Sequence, residues 1–364
     1  MTVTFAVGRK DLRQSRWIET PPAVLGDGAV RMRIDSFALT ANNITYGAFG
    51  DTMSYWSFFP TGDDHTGCIP VWGFATVAES RCPDVAVGGR FYGYWPMADE
   101  TVLQPVRVDG LGFIDGAAHR RELPLVYNHY LRCDADPAYR ADQDGLIALL
   151  RPLFTTSFLI DDFLADNGFF GARRVLVSSA SSKTSWGLAH CLSLRRGDGS
   201  ATSVGLTSAA HVDYVDGLGC WDAVLPYDRV QDLDPGETVV YVDMSGDTGL
   251  RAAIHGHWGD RLAYSCSVGG THWESLGGGK GLAGPRPVLF FAPAQAKKRS
   301  AEWGAAGLRD RLAAAWAGFI EQVARPDHPW LTVVAGTGRA AVETTYRDLL
   351  EGRVPANEGR ILSV

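Results

Sequence analysis

The stretch VLVSSASSKTSWGLAH, from Val175 to His190, decides the fold. It opens with an apolar, β-branched run, turns through a short polar segment and continues in a pattern typical of a helix. A strand, a tight turn and a helix in this order begin nucleotide-binding folds, in which a phosphate lies against the helix N-terminus. Glycines usually stand in that turn, whereas the first glycine here is Gly187. The stretch therefore predicts a nucleotide-binding fold with an unusual phosphate turn.

Strand and helix patterns alternate along the chain from about Arg174. The further apolar runs are nearly continuous, and they are ATSVGLTS, WDAVLPYD, TVVYVDMS, RLAYSCSVGG and PVLFFAP. Continuous runs are typical of parallel strands that are covered on both faces. A helical segment, AEWGAAGLRDRLAAAWAGFIEQVA, follows them. This part is predicted to be a Rossmann doubly wound parallel sheet.

The chain before about Asp134 is rich in short strand patterns broken by Gly and Pro. VRMRIDSFALT alternates apolar and polar residues, and GGRFYGYWP carries the aromatic enrichment of strands. A β-rich segment, an α/β segment and a short return predict a discontinuous first domain. The expected fold class is α/β, with a β-rich domain at 1–140 and 326–364 and a cofactor-binding domain at 141–325.

Composition limits the partners of the chain. With 364 residues, two domains are expected, and a formal charge of -7 argues against a general nucleic-acid binder. No apolar run approaches the length of about 18 residues that a membrane span needs. Six dispersed cysteines without a CxxC pair indicate reduced thiols and a cytoplasmic location. The expected partners are a small-molecule substrate and, through PVLFFAP as an edge strand, a second copy in a homodimer.

Three segments carry a resemblance to a known superfamily. VGGRFYGYWPMADETVLQP (87–105) resembles the end of the GroES-like domain of medium-chain dehydrogenases/reductases. Residues 205–228 resemble the second strand, helix and third strand of that superfamily, and residues 239–270 resemble its fourth strand, crossing helix and fifth strand. The likeness covers about Asp35 to Pro293. It is closest to zinc-free quinone- and enoyl-reductase-like members, within a bacterial and fungal branch catalogued as a domain of unknown function.

The resemblance also implies that no zinc is bound. The metal-dependent branch has a cysteine where this chain has TANNITYG, and Gly-His-Glu where it has Trp72-Gly73-Phe74. A catalytic zinc needs three protein ligands, and the sequence shows no such set. No metal is therefore expected.

The turn after the first strand is the expected phosphate site. The family pattern has glycines where this chain has Ser182, Lys183 and Ser185. N–H groups at a helix N-terminus still attract an anion, hydroxyls can donate to phosphate oxygens, and a lysine adds a point charge. The alternative is a serine-rich helix cap that binds nothing. The predicted cofactor-binding run is Ala180, Ser181, Ser182, Lys183, Thr184 and Ser185.

The end of the second strand indicates which nucleotide is bound. Thr207 and Ser208 stand where an acidic residue would hold an adenosine ribose diol, which favours NADP(H) over NAD. The resemblance places His211 where NADP-binding relatives often have lysine, and it places Tyr227 near the same phosphate. Ordinary surface packing is the alternative for both residues. Val268 and Gly269 resemble the segment that contacts the nicotinamide amide.

ALTANNITYGAFGDTMSYWSFFP supplies the candidate catalytic residues on the substrate side. Asn42 matches a family asparagine, and enoyl reductases of the superfamily carry a tyrosine slightly downstream as proton donor. Tyr46 or Tyr55 fits that role, because a phenol suits protonation of an enolate-like carbon. Packing of an aromatic loop is the alternative. So many aromatic residues also predict a pocket for an apolar or planar substrate.

The expected function is that of an NADP(H)-dependent, zinc-free oxidoreductase that reduces an activated C=C or C=O bond in a cleft between the domains. A non-redox lyase or aldolase-like enzyme is one alternative, with Lys183 or Lys280 binding an anionic substrate. A cofactor-binding sensor without turnover is the other.

Overall fold

The apolar runs form strands in a computed structural model that describes residues 1–197, 200–268 and 281–364. In chain order the strands are β1 (Thr2–Gly8), β2 (Ser15–Thr20), β3 (Val30–Leu39), β4 (Thr66–Gly67), β5 (Val71–Ser80), β6 (Arg90–Trp95), β7 (Glu100–Leu103), β8 (Pro105–Asp109), β9 (Gly112–Asp115), β10 (His129–Arg132), β11 (Arg174–Val177), β12 (Thr202–Thr207), β13 (Ala223–Pro226), β14 (Val239–Asp243), β15 (Leu262–Ser267), β16 (Val288–Leu289), β17 (Thr332–Thr337) and β18 (Glu358–Ser363).

The α-helices are α1 (Ala41–Ala48), α2 (Asp144–Asp166), α3 (Lys183–Ser193), α4 (Val212–Gly217), α5 (Thr248–Trp258), α6 (Ala292–Val323) and α7 (Arg339–Leu350). None of the helices in the described ranges is both long enough and apolar enough to cross a bilayer.

Internal contacts divide the chain into two units. Met1–Pro152 and Leu331–Val364 form one of them, here named the split unit. Leu153–Trp330 forms the other, here named the continuous unit. The first boundary therefore lies at Pro152, within α2.

Two sheets build the split unit. The larger sheet has the strand order β17-β18-β3-β5-β6-β10-β9-β8, with β7 also paired to β3. The smaller sheet has the order β2-β1-β4. Phe37 of β3, Phe74 of β5 and Trp95 of β6 are fully buried and belong to the core of this unit. The chain returns through β18, which pairs antiparallel with β3.

The continuous unit contains a parallel sheet in the order β13-β12-β11-β14-β15-β16. β14 is buried throughout, as predicted from its continuous apolar run. The strand order reverses between β11 and β14. In such sheets, ligands bind in the crevice beyond the carboxyl ends of the strands at that point. The predicted α/β class, with a β-rich sheet and a doubly wound parallel sheet, is confirmed.

Two predicted elements differ in extent from the structure. PVLFFAP forms a strand only at Val288–Leu289. The C-terminal helix pattern lies in a longer helix, α6, which is interrupted at Gly304 with φ 76. A glycine accommodates this positive φ without the steric cost of a Cβ.

Candidate functional site

Ser178, the first residue after β11, is fully buried and links two loops. Its Oγ donates to Asp243 Oδ1 at 3.0 Å. The same oxygen accepts the N–H groups of Met244 at 3.0 Å and of Ser245 at 3.1 Å. The loop after β11 is thereby tied to the loop after β14, and these two strands flank the point where the strand order reverses.

A buried carboxylate anchors this link. Asp243 Oδ2 accepts from Arg251 Nε at 2.9 Å and from Arg251 Nη2 at 2.7 Å. Its Oδ1 also accepts from Ser245 Oγ at 3.0 Å and from the Gly246 N–H at 2.9 Å. A buried ion pair offsets its desolvation only when the remaining lone pairs are hydrogen-bonded, as they are here. The two loops are therefore held rigidly at their bases.

The backbone of the loop after β11 is also held by hydrogen bonds, in addition to those of the Ser178 side chain. Ser179 has a positive φ of 50, and its N–H donates to the Tyr227 hydroxyl at 3.2 Å. The Ala180 N–H donates to Leu206 O at 3.0 Å. A Cβ at Gly205 on β12 would lie 2.9 Å from the Cβ of Ala180 and 2.9 Å from the Trp221 ring. A glycine on the second strand thus makes room for the loop.

Two of the loop serines cap α3. Ser182 is the N-cap, and its Oγ accepts the Ser185 N–H at 3.3 Å and donates to Ser185 Oγ at 3.0 Å. Ser185 Oγ donates in turn to Ser178 O at 3.3 Å. The hydroxyls of Ser178, Ser182 and Ser185 are therefore all engaged in hydrogen bonds within the protein. The hydroxyls of Ser182 and Ser185 therefore act as a helix cap in this structure, which is the alternative to phosphate binding given above.

Ser181 and Thr184 differ from their neighbours. Within the described ranges, neither their backbone N–H groups nor their hydroxyls make a hydrogen bond. Both residues stand at the N-terminus of α3, where the helix dipole favours an anion. The ammonium of Lys183 lies 5.3 Å from the centre of the Trp186 ring, which is fully buried. The first turn of α3 thus offers donors of the kind that bind a phosphate.

The carboxyl end of β12 carries the second group of predicted residues. Thr207 is 1% exposed, and its hydroxyl has no hydrogen-bond partner among the described residues. Ser208 Oγ lies 3.0 Å from His211 Nδ1, at the surface. Tyr227 begins the turn after β13 and contacts Ser179 as described above. The ends of β11, β12 and β13 thus bring the loop, Ser208 and Tyr227 to one edge of the sheet.

Val268 follows β15 at the same edge, and its N–H donates to Asp243 O at 2.9 Å. Gly269, predicted to contact the nicotinamide, lies outside the described residues, as does Lys280.

The predicted catalytic residues lie in the split unit, on or after α1. The rings of Tyr46 and Tyr55 are 4.5 Å apart between their centres, and each residue is 6% exposed. Burial raises the pKa of Tyr46, an effect partly offset by nearby hydrogen-bonding groups that include the Asn42 side chain. Burial raises the pKa of Tyr55 to about 12. Both phenols therefore hold their protons at neutral pH.

Tyr127 joins this cluster, although the sequence gives no sign of it. Its hydroxyl lies 3.3 Å from that of Tyr55, and 72 positions separate the two residues in the chain. Its ring centre is 4.8 Å from that of Tyr94 and 5.9 Å from that of Trp72. The Tyr94 hydroxyl is buried and finds no partner in the described part of the chain. The aromatic residues expected from the sequence are therefore joined by further tyrosines, and we name Tyr46, Tyr55, Tyr94 and Tyr127 the phenol cluster.

Neither a metal site nor the pocket between α2 and α6 competes with these residues in the described part of the chain. The described residues contain no group of three or more side chains able to hold a metal ion. A pocket of about 370 Å³ in the continuous unit is lined mainly by residues of α2 and α6. Its Arg299 pairs with Asp162 at 2.7 Å and with Asp166 at 3.0 Å, so these charges satisfy one another. The candidate cofactor site of the continuous unit therefore lies at the strand ends, and the candidate catalytic residues of the split unit lie in the phenol cluster.

Comparison with known proteins gives a family and a fold. A family model described as "Protein of unknown function (DUF2855)" matches residues 37–355. None of the curated proteins matches the sequence. CurA from Vibrio vulnificus superimposes with a TM-score of 0.60 at 11% identity, over 100% of this chain and 99% of that one.

Two other solved structures have the same fold. The yhdH oxidoreductase from Salmonella enterica in complex with NADP gives a TM-score of 0.56 at 14% identity, over 100% of both chains. A mutant form of enoyl thioester reductase from Candida tropicalis gives 0.57 at 9% identity, over 100% of this chain and 99% of that one. These likenesses confirm the two-domain fold that the resemblance to medium-chain dehydrogenases/reductases implies.

Proposed function

The chain belongs to the DUF2855 family, and we propose that it is an NADP(H)-dependent oxidoreductase. Its substrate is an apolar or planar small molecule with an activated C=C or C=O bond, which it reduces without zinc. The observation that carries the proposal is the pair Ser181 and Thr184 at the N-terminus of α3, whose N–H and hydroxyl donors make no hydrogen bond to the residues that the structure describes. The solved yhdH oxidoreductase of the same fold is a complex with NADP, which supports this assignment.

The residues present fit a dinucleotide that carries an extra phosphate. Ser181, Thr184 and the ammonium of Lys183 would bind the pyrophosphate. The buried Thr207 hydroxyl, which has no hydrogen-bond partner in the described part of the chain, lies at the strand end where the adenosine ribose is bound in sheets of this kind. Ser208 and His211 would bind the 2′-phosphate in place of the carboxylate that selects NAD. The bound cofactor would supply a hydride.

The split unit supplies the proton in this proposal. Tyr46 and Tyr55 remain protonated because burial raises the pKa of each phenol. A neutral phenol can donate its proton to a carbon or oxygen atom that has gained electron density. The surrounding rings give an apolar surface for a planar substrate and exclude water from it. The predicted homodimer and the cytoplasmic location remain predictions.

The first test is cofactor binding. Titration of NADPH, followed by nicotinamide fluorescence, is expected to give saturable binding that is tighter than the binding of NADH. A Ser181→Ala/Thr184→Ala double variant is expected to bind at least about 100-fold more weakly, because two hydrogen bonds to a charged phosphate are lost. Ser193→Ala is the matched control, since Ser193 loses a hydroxyl at the other end of α3, where it bonds His190 O. Absence of NADPH binding at millimolar concentration would refute the proposal.

The second test is turnover. NADPH oxidation, followed by its absorbance, is measured against a panel of enones, quinones and enoyl thioesters. Oxidation that depends on one substrate class supports the proposal. Binding without oxidation by any member favours the sensor alternative over an enzyme.

A further inference from the structure

We propose that Tyr227 is a positioning residue for the loop after β11: its hydroxyl holds Ser179 in a strained backbone conformation and thereby fixes where α3 begins. The inference rests on the proposed binding of NADP(H). It gives Tyr227 a role other than the one that the resemblance implies, which is packing near the 2′-phosphate.

Ser179 is the strained residue of this loop. Its φ of 50 lies in the left-handed region, where the Cβ of an L-residue comes too close to the following carbonyl oxygen. The N–H groups of the two residues beside it bond main-chain oxygens of β14 and β12, at 3.1 and 3.0 Å. The Ser179 N–H donates instead to a side chain, the Tyr227 hydroxyl, at 3.2 Å. The conformation of Ser179 therefore depends on a residue at another strand end.

Tyr227 is held so that its hydroxyl has a fixed position. It follows Pro226, the last residue of β13, which pairs with Thr207 of β12. Its ring packs against the hydrophobic core that includes Leu206 and Val230. Neighbouring strands lie about 4.8 Å apart, so the side chain reaches past the end of β12 to the loop after β11. Core packing of the ring therefore allows the hydroxyl to restrain the loop.

The restraint at Ser179 reaches α3 through one backbone turn. Ser179 O accepts the Ser182 N–H at 2.8 Å, which closes a turn of four residues. Because Ser182 is the N-cap of α3, the peptide groups of Ser179 determine where the helix begins. Ser181 lies inside this turn, and Thr184 lies in the first turn of the helix. The position of both candidate phosphate-binding residues therefore follows from the conformation of Ser179.

This role predicts a different cofactor dependence from a contact with the 2′-phosphate. The candidates for that phosphate, Ser208 and His211, lie 3.0 Å apart between Oγ and Nδ1, beyond the end of β12. The pyrophosphate is common to NADPH and NADH, whereas only NADPH carries the 2′-phosphate. Loss of the Tyr227 hydroxyl therefore weakens the binding of both cofactors by the same factor. Loss of a contact with the 2′-phosphate would weaken NADPH binding alone.

The experiment measures the dissociation constants of NADPH and NADH by nicotinamide fluorescence. Tyr227→Phe is expected to weaken the binding of both cofactors about tenfold, the effect of losing about one hydrogen bond. Ser179→Gly is expected to bind both within about threefold of the wild type, since a glycine adopts a φ of 50 without steric cost. The Ser179→Gly/Tyr227→Phe variant is also expected to bind NADPH within about threefold of the wild type, because the loop conformation then no longer needs the hydroxyl.

Tyr214→Phe is the matched control. Tyr214 is also a partly buried tyrosine of the continuous unit, and its hydroxyl donates to Trp330 O at 2.9 Å, outside the loop after β11. Its loss is expected to lower the melting temperature and to leave both dissociation constants unchanged. The control therefore separates a loss of stability from a loss of loop positioning.

Three results would overturn this role of Tyr227. The first is a Tyr227→Phe variant that binds both cofactors like the wild type. The second is a Tyr227→Phe variant that loses affinity for NADPH alone, which assigns the hydroxyl to the 2′-phosphate. The third is a double variant that binds NADPH as weakly as Tyr227→Phe, which shows that the hydroxyl does not act through Ser179. All three leave the proposed function standing, whereas a wild-type protein that binds no NADPH overturns that function and the role of Tyr227 with it.

Discussion

Ser178→Ala removes the hydroxyl that ties the loop after β11 to the loop after β14. Three hydrogen bonds pass through this oxygen, one to the Asp243 carboxylate and two from the N–H groups of Met244 and Ser245. The Ser245 N–H keeps a second acceptor, Asp243 Oδ1, at 3.1 Å. The variant therefore loses one hydrogen bond to the buried Asp243 carboxylate, and the Met244 N–H is left without its acceptor.

The expected cost follows from these two losses. A hydrogen bond to a charged group contributes about 1.5–3 kcal/mol, and a half-buried N–H without a partner costs about 1 kcal/mol. The free energy of unfolding is thus expected to fall by about 2.5–4 kcal/mol. Because the loop loses its anchor beside the α3 donors, NADPH is also expected to bind about tenfold more weakly, a change of about 1.4 kcal/mol. Urea unfolding and nicotinamide fluorescence measure the two effects.

Ser245→Ala is the matched control for this prediction. Ser245 Oγ also donates to Asp243 Oδ1 at 3.0 Å, but it bonds no residue of the β11 loop. The control is expected to lose about 1–2 kcal/mol of stability and to keep the wild-type affinity for NADPH. Equal NADPH affinity in Ser178→Ala and Ser245→Ala would show that this link does not position the loop.

Three further changes have defined outcomes. His211→Lys is expected to tighten NADPH binding about tenfold and leave NADH binding unchanged in fluorescence titrations, since a lysine carries a permanent charge for the 2′-phosphate. Gly205→Ala is expected to lower the free energy of unfolding in urea by about 1–3 kcal/mol, because the added Cβ would lie 2.9 Å from both Ala180 and Trp221. His255 is fully buried, and burial lowers its pKa. The imidazole therefore stays neutral in the folded protein at a pH where it is protonated in the unfolded chain, below about pH 6.5. The stability present above that pH is therefore expected to fall on acidification, by up to about 1.4 kcal/mol at pH 5.5, and by less in His255→Gln.

The order of the strands in the continuous unit could be predicted from the sequence, because a parallel strand that is buried on both faces needs a continuous apolar run. Those of β11, β12 and β14 are where the patterns predict them. The hydroxyl run after β11 shows the limit of such reasoning. Its composition does not distinguish Ser178, whose partner is Asp243, 65 positions away, from Ser181, whose hydroxyl bonds none of the described residues. Only the register of the folded strands assigns these partners.

Tyr127 shows the same limit in the split unit. Tyr46 and Tyr55 stand out because they are close in the chain to the family asparagine position, whereas Tyr127 lies in a surface turn with no local pattern. Arg120 is hydrogen-bonded both to Phe58, close to Tyr55, and to Asn128, which follows Tyr127. A constellation assembled from distant turns leaves no periodicity or spacing by which to find it.

The return of the chain to β3 sets an order for folding during synthesis. Leu39 of β3 pairs with Arg360 of β18, and the whole continuous unit is translated between them. The Phe37–Leu39 end of β3 therefore has one unpaired edge until β18 has been synthesised. The continuous unit emerges complete before that point and can fold first. The newly made chain thus carries an open strand edge while the whole continuous unit is synthesised, and an open edge of this kind can pair with other chains.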